Sequence, residues 1–75
     1  MSDTMIDMEL VFADYLFPDQ LMEEDIIKFE DSLYTVKTIT AVKDGYMLRL
    51  VNDFEEVEEL LFSDNDKIAW YAFVE

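Results

Sequence analysis

Seven carboxylates crowd the stretch NDFEEVEELLFSDND (52–66): Asp53, Glu55, Glu56, Glu58, Glu59, Asp64 and Asp66, with no positive charge among them. Side chains of this type and spacing can do three kinds of chemistry. Two of them flanking a cleft can exchange protons with a substrate, as in glycoside hydrolysis. A tight group can ligate a hard cation through oxygen. A wall of them can dock against a cationic surface.

The first two find little support. The chain has no His and no Cys, which removes the usual titrating group, the thiolate nucleophile, Cys/His zinc sites and haem ligation. Ser2, Ser32, Ser63, the lysines and the carboxylates are the remaining candidates, and none stands in a nucleophile motif. One glycine cannot build a glycine-rich phosphate loop. A 75-residue chain has little room for a cleft flanked by two carboxylates. The triplet DND (64–66) has the opening pattern of a calcium loop, but Gly is missing at the sixth position. A polar turn accounts for it. No enzymatic activity, cofactor or metal is expected.

The charge balance favours docking. The net charge is −14, residues 1–27 hold eight acids and no base, and the five bases are Lys28, Lys37, Lys43, Arg49 and Lys67. Such a charge opposes contact with nucleic acid and with anionic membranes and speeds encounter with basic surfaces. A merely solvated face explains some acids, but ordinary surfaces intersperse both signs because like neighbours repel. A halophilic origin fits poorly with five Ile, six Phe and five Met. The sharper reading is mimicry of a nucleic-acid backbone. A duplex carries a charge about every 1.7 Å of axis, and carboxylates on strands rising about 3.3 Å per residue offer a comparable density.

The elements that would position these groups are mostly strands. LYTVKTITAV (33–42) is rich in residues that suit a pleated surface. KDG (43–45) is a turn signal with Asp-Gly suited to positive φ. YMLRLVN (46–52) alternates, with Tyr46, Leu48 and Leu50 on one face and Met47, Arg49 and Val51 on the other. DIIKF (25–29) alternates too, and EDS (30–32) joins it to the next strand. KIAWYAFVE (67–75) is a strand with apolar residues on both faces. Two stretches admit two readings. PDQLMEED (18–25) can begin a helix at Pro18 or form a single turn. Residues 53–62 place Phe54, Val57 and Leu60/Leu61 at helical spacing behind an Asn52–Glu55 capping pattern, yet VEELLF also suits a half-exposed strand.

Across residues 13–50 the order resembles small SH3-like barrel domains of bacteriophage and bacterial accessory proteins, whose pattern is Gly-Asp-x-Ile, a tight turn, Tyr-x-Val-x-x-Ile and a Gly-containing hairpin. Asp25-Ile26, Tyr34, Val36, Ile39 and Gly45 match, while Glu24 stands where those domains usually carry Gly. The resemblance implies a mainly β fold, a small SH3-like barrel of about five antiparallel strands with 53–62 as a strand. The alternative is an α+β arrangement with a helix at 53–62. In charge and size the chain is also similar to small acidic phage-type inhibitors of uracil-DNA glycosylase, restriction enzymes and CRISPR effectors. EEVEELL followed by KIAWYAFVE resembles a helix-then-strand stretch of the glycosylase inhibitors, from which no functional residue is carried over.

Phe12, Tyr15, Phe17, Phe54, Trp70, Tyr71 and Phe73 exceed what one small core hides, and alternation puts Trp70 and Tyr71 on opposite faces. Either segment 5–17 covers the second face, or an apolar anchor lies open among acids, as at interface centres. A homodimer would use the same anchor. The N-terminus MSDTMIDMEL is acidic where a signal peptide needs basic residues, and no apolar run is long enough to span a bilayer. The expectation is a single cytoplasmic domain, residues 1–75. It binds a basic, nucleic-acid-binding protein through Asp53, Glu55, Glu56, Glu58, Glu59, Asp64 and Asp66 and the acidic N-terminal half, with Trp70 and Tyr71 giving apolar contact. The alternative is a virion or assembly accessory protein whose acids only solubilise it.

Overall fold

Apolar residues alternating through most of the chain produce strands, and the strands join in one sheet. The computed structural model describes residues 9–74. Its elements are β1 (Glu9–Leu16), a single 3-10 turn (Pro18–Gln20), β2 (Ile26–Phe29), β3 (Ser32–Val42), β4 (Gly45–Val51), β5 (Val57–Ser63) and β6 (Ile68–Val74). All pairings are antiparallel, in the order β1-β6-β2-β3-β4-β5. The fold is therefore mainly β, and 53–62 holds no helix.

Two points differ from the barrel expectation. There are six strands instead of about five, and the sheet is open: β1 and β5 lie at its two ends and do not pair with each other. The additional strand is β1, which extends alongside β6. The molecule measures 53 × 24 × 20 Å, because β1 and β6 run past the short β2 at one end and β3, β4 and β5 continue together at the other. Glu75 and residues 5–8 of the expected covering segment lie outside the described residues.

The core lies on one face. Leu21, Ile27, Tyr34, Val36, Leu48, Leu50, Phe62 and Ile68 are buried together, with Leu16, Phe29, Ile39, Tyr46 and Leu60 packed against them. Phe29 meets Phe62 edge to face, centroids 5.5 Å apart. Residues 18–25 take the single-turn reading. Pro18 opens the turn and is buried, Leu21 follows it into the core, and the chain then enters β2.

A bulge explains why Tyr34, Val36 and Ile39 share the core face although strict alternation would turn Ile39 outward. Val36 pairs with Leu50 and Thr38 with Arg49, so Lys37 has no opposite residue. The extra residue shifts the inward set from even to odd positions, and Ile39 pairs with the fully buried Leu48. Lys37 reaches across to Glu24, with Nζ 3.3 Å from both carboxylate oxygens. Glu24 itself holds φ at 75°, and its N–H donates to the Val36 carbonyl at 2.7 Å.

The β3–β4 turn contains the positive φ that KDG implies, but at Asp44 (64°), not at Gly45. Gly45 is required for a different reason. A Cβ there would collide with the backbone carbonyl of Phe62 on β5, and no rotamer change can relieve a clash between main chains. Gly45→Ala is expected to cost about 1–3 kcal/mol, the range for forced overpacking. Urea denaturation checks this, and a loss under about 0.5 kcal/mol, typical of a surface substitution, would show that β5 does not press on β4 at this point.

Candidate protein-binding surface

A strand sends neighbouring side chains to opposite faces, and this divides the acidic run into three places. Asp53, Glu55 and Glu56 lie in the loop between β4 and β5. Glu58 and Glu59 lie on β5, opposite Leu50 and Arg49, and so face opposite sides of the sheet. Asp64 and Asp66 lie in the turn at the far end of β5. All seven are exposed.

Asn52 organises the first group. Its Oδ1 accepts from the Phe54 N–H at 2.9 Å and the Glu56 N–H at 3.0 Å, and its Nδ2 donates to Glu56 Oε1 at 2.9 Å. Asn52 thus caps the N–H groups that follow it, but in a loop, and its reciprocal carboxylate is Glu56, not the Glu55 of the sequence pattern. Glu55 turns to φ 62°, the Asn52 N–H donates to the Glu56 carbonyl at 3.1 Å, and Val57 pairs with Val51. The chain reverses into a hairpin where a helix would have continued.

This loop holds Phe54 away from the core: 82% of it is accessible, and Asp53, Glu55 and Glu56 surround it in sequence. Beside it lies an open groove of about 290 Å³ lined by Asp31, Ser32, Leu33, Asn52, Asp53 and Phe54. Glu30 and Asp31 form the β2–β3 turn, both at positive φ (50° and 66°). The groove thus joins Asp31 and Asp53, distant in sequence, with an exposed aromatic ring and Leu33. Sequence reading missed Phe54 and Asp31 as site residues. A Phe among acids on a loop was the available signal for the first; only the β3–β4 register, which sets Thr35 against Val51, reveals the second.

The other carboxylates are more committed. Glu58 Oε2 accepts from the Tyr34 hydroxyl at 3.2 Å. Glu59 lies 3.4 Å from Arg49 Nε. Asp66 Oδ2 accepts from the Ser63 N–H at 2.9 Å, and the Asn65 N–H donates to Ser63 Oγ at 3.1 Å, which makes DND a closed polar turn. Among the described residues no three acids converge at metal-binding distance. Among the described residues, Arg49 and Lys37 are the bases held in ion pairs.

Trp70 and Tyr71 do face opposite ways, Trp70 beside Ile27 and Tyr71 beside Ile26. Both are half-buried. The open aromatic surface lies next to Tyr71. Ala13 is the extra residue of a second bulge, between the Phe12↔Tyr71 and Asp14↔Trp70 pairs. It places Phe12 and Tyr15 on one face with ring centroids 5.0 Å apart, and Phe12 lies 5.9 Å from Tyr71. Phe12, Tyr15 and Phe73 remain 46%, 58% and 52% accessible. Neither Trp70 nor Tyr71 comes into the groove beside Phe54, so the expected site residues occupy separate regions.

No protein-family model, curated protein or solved structure matches the chain. No helix among the described residues is long and apolar enough to cross a membrane.

The Tyr34–Glu58 contact yields a test. Burial of the Tyr34 ring, and then the negative charge of Glu58, raise the hydroxyl pKa above its ordinary value of 10.0. The folded state therefore holds this proton more tightly than the unfolded chain. The corresponding stability is complete below pH 10 and is lost as pH rises through the higher folded value. Denaturation above pH 10 should destabilise the natural protein more steeply than Tyr34→Phe. Parallel curves for the two would show that the hydroxyl titrates alike in folded and unfolded chains.

Proposed function

We propose that this protein is a non-enzymatic acidic binding module that engages a basic, nucleic-acid-binding protein, in the manner of a phage-type DNA mimic acting as an inhibitor in the host cytoplasm. The observation that carries this reading is the loop at 52–56, which projects Phe54 among Asp53, Glu55 and Glu56 beside a groove edged by Asp31. An aromatic anchor within a ring of charge is the composition of an interface hot spot, and the surrounding charge has one sign. The acids at 58–59 and 64–66 add to a field that five bases cannot balance, which favours rapid encounter with a cationic partner.

A relation to small SH3-like barrels belongs to the same reading. Glu24 takes a left-handed backbone where those domains carry Gly, and the bulge at Lys37 gives the spacing Tyr34-x-Val36-x-x-Ile39 its physical basis. A second reading, an assembly accessory protein with solubilising acids, draws support from the opposite orientation of Glu58 and Glu59, which no single flat partner contacts together.

The test is retention of proteins from a nuclease-treated bacterial extract on the immobilised chain. The expected result is a basic protein that duplex DNA displaces and that releases steeply as salt rises, because counterion-linked contacts weaken with ionic strength. Replacing Asp53, Glu55 and Glu56 together by Lys should lower its affinity at least about tenfold, each close charge pair contributing on the order of 1 kcal/mol in water. Retention indifferent to DNA, salt and the triple variant would contradict the proposal and favour the accessory reading.

A further inference from the structure

The two ends of the sheet are guarded differently. A strand at an edge leaves a row of N–H and C=O groups unpaired, and proteins commonly protect it with charge. On β5 the edge carries Glu58 and Glu59 within the strand. On β1 the run Leu10–Ala13 has no charge at all; Glu9 precedes it and Asp14 follows. Among the described residues β1 pairs with β6 alone.

The outer edge of β1 is blocked only towards its end. The bulge at Ala13 interrupts the ladder, and Asp14 Oδ1 accepts from the Tyr15 N–H at 2.7 Å, occupying that donor with its own neighbour. The section Glu9–Phe12 stays regular in its pairing with β6. Along one face of this section lie Phe12, Tyr15 and Phe73, each about half accessible. A regular free edge beside an uncovered aromatic face is the arrangement that accepts an extended segment as an added strand, main chain giving affinity and alternate side chains specificity.

We infer that β1 takes a basic extended segment of a partner protein by strand addition along Glu9–Phe12, with alternate apolar side chains of that segment packing on Phe12 and Tyr15. This rests on the reading of the partner as basic, and adds the mode of engagement. Charge selects this occupant over a second copy of the chain: two copies would each bring a net −14 to the contact, whereas a segment bearing lysines or arginines lowers the repulsion on docking. Uncharged edges also pair with themselves, so the alternative occupant is part of the test.

The probe is an octapeptide of alternating Lys and Val, titrated into the isotope-labelled full chain and followed by amide shifts and exchange. The expected result is perturbation centred on residues 9–14 and new protection of β1 amides. The same peptide N-methylated at alternate residues should bind at least about tenfold more weakly, since several backbone hydrogen bonds are lost without change of charge. Equal binding of the N-methylated peptide, or perturbation confined to 52–66, would overturn strand addition and leave the basic-partner reading standing. No binding of either peptide at millimolar concentration and low salt would overturn both. Concentration-dependent protection of β1 without peptide would assign the edge to a second copy and overturn the proposal.

Discussion

Burying a carboxylate without a cationic partner is so costly that a protein avoids it, and this chain has 19 acids to set against five bases. Its core must therefore be built entirely from apolar groups, and among the described residues no charged side chain is buried. Every acid has to find the surface. On a strand that is possible only at alternate positions, so acids in consecutive pairs, as at Glu58–Glu59, must either straddle the sheet or fall in loops. Both solutions occur. The same constraint limits how much apolar surface the sheet can hide, because a second covered face would leave the acids nowhere to go. The exposed aromatics and the exposed acids thus have a common origin in the composition.

Two bulges then decide where particular side chains lie. At Lys37 the extra residue moves Ile39 onto the core face and carries the lysine to Glu24, tying β3 to the turn before β2. At Ala13 the extra residue brings Phe12 and Tyr15 together on the outer face. Each bulge contributes locally to the twist of the sheet. The first consolidates the core. The second creates an apolar surface that nothing in the described chain covers, alongside the uncharged edge run Leu10–Ala13.

Much of this was legible in the residues. The β3–β4 hairpin, the inward set Tyr46, Leu48 and Leu50, the strand at 68–74 and the opposite orientation of Trp70 and Tyr71 follow from period-two alternation. What alternation could not supply was β1, since the bulge at Ala13 breaks its period and ELVFADYL matches neither template cleanly. Asn52 does cap the chain, but with Glu56 in place of Glu55: side-chain capping of the next N–H groups is common to helix starts and to loops, and only the pairing of Val51 with Val57 selects the loop. The acidic run was read as one wall, whereas the strand geometry distributes it over a loop, two faces and a turn. The groove beside Phe54 depends on two hairpin ends meeting, which no local pattern encodes.

Acids left uncompensated within the molecule are available to a cation-bearing partner. Thermal unfolding of the isolated chain as a function of sodium chloride tests that most directly. If like charges repel across the surface, screening them from about 0.02 to 0.5 M salt relieves the folded state, and Tm rises by about 5 °C or more, equivalent to about 1 kcal/mol for a domain of this size. A Tm that stays level or falls would mean that the few ion pairs already balance the surface, and the case for a waiting cationic partner would be lost.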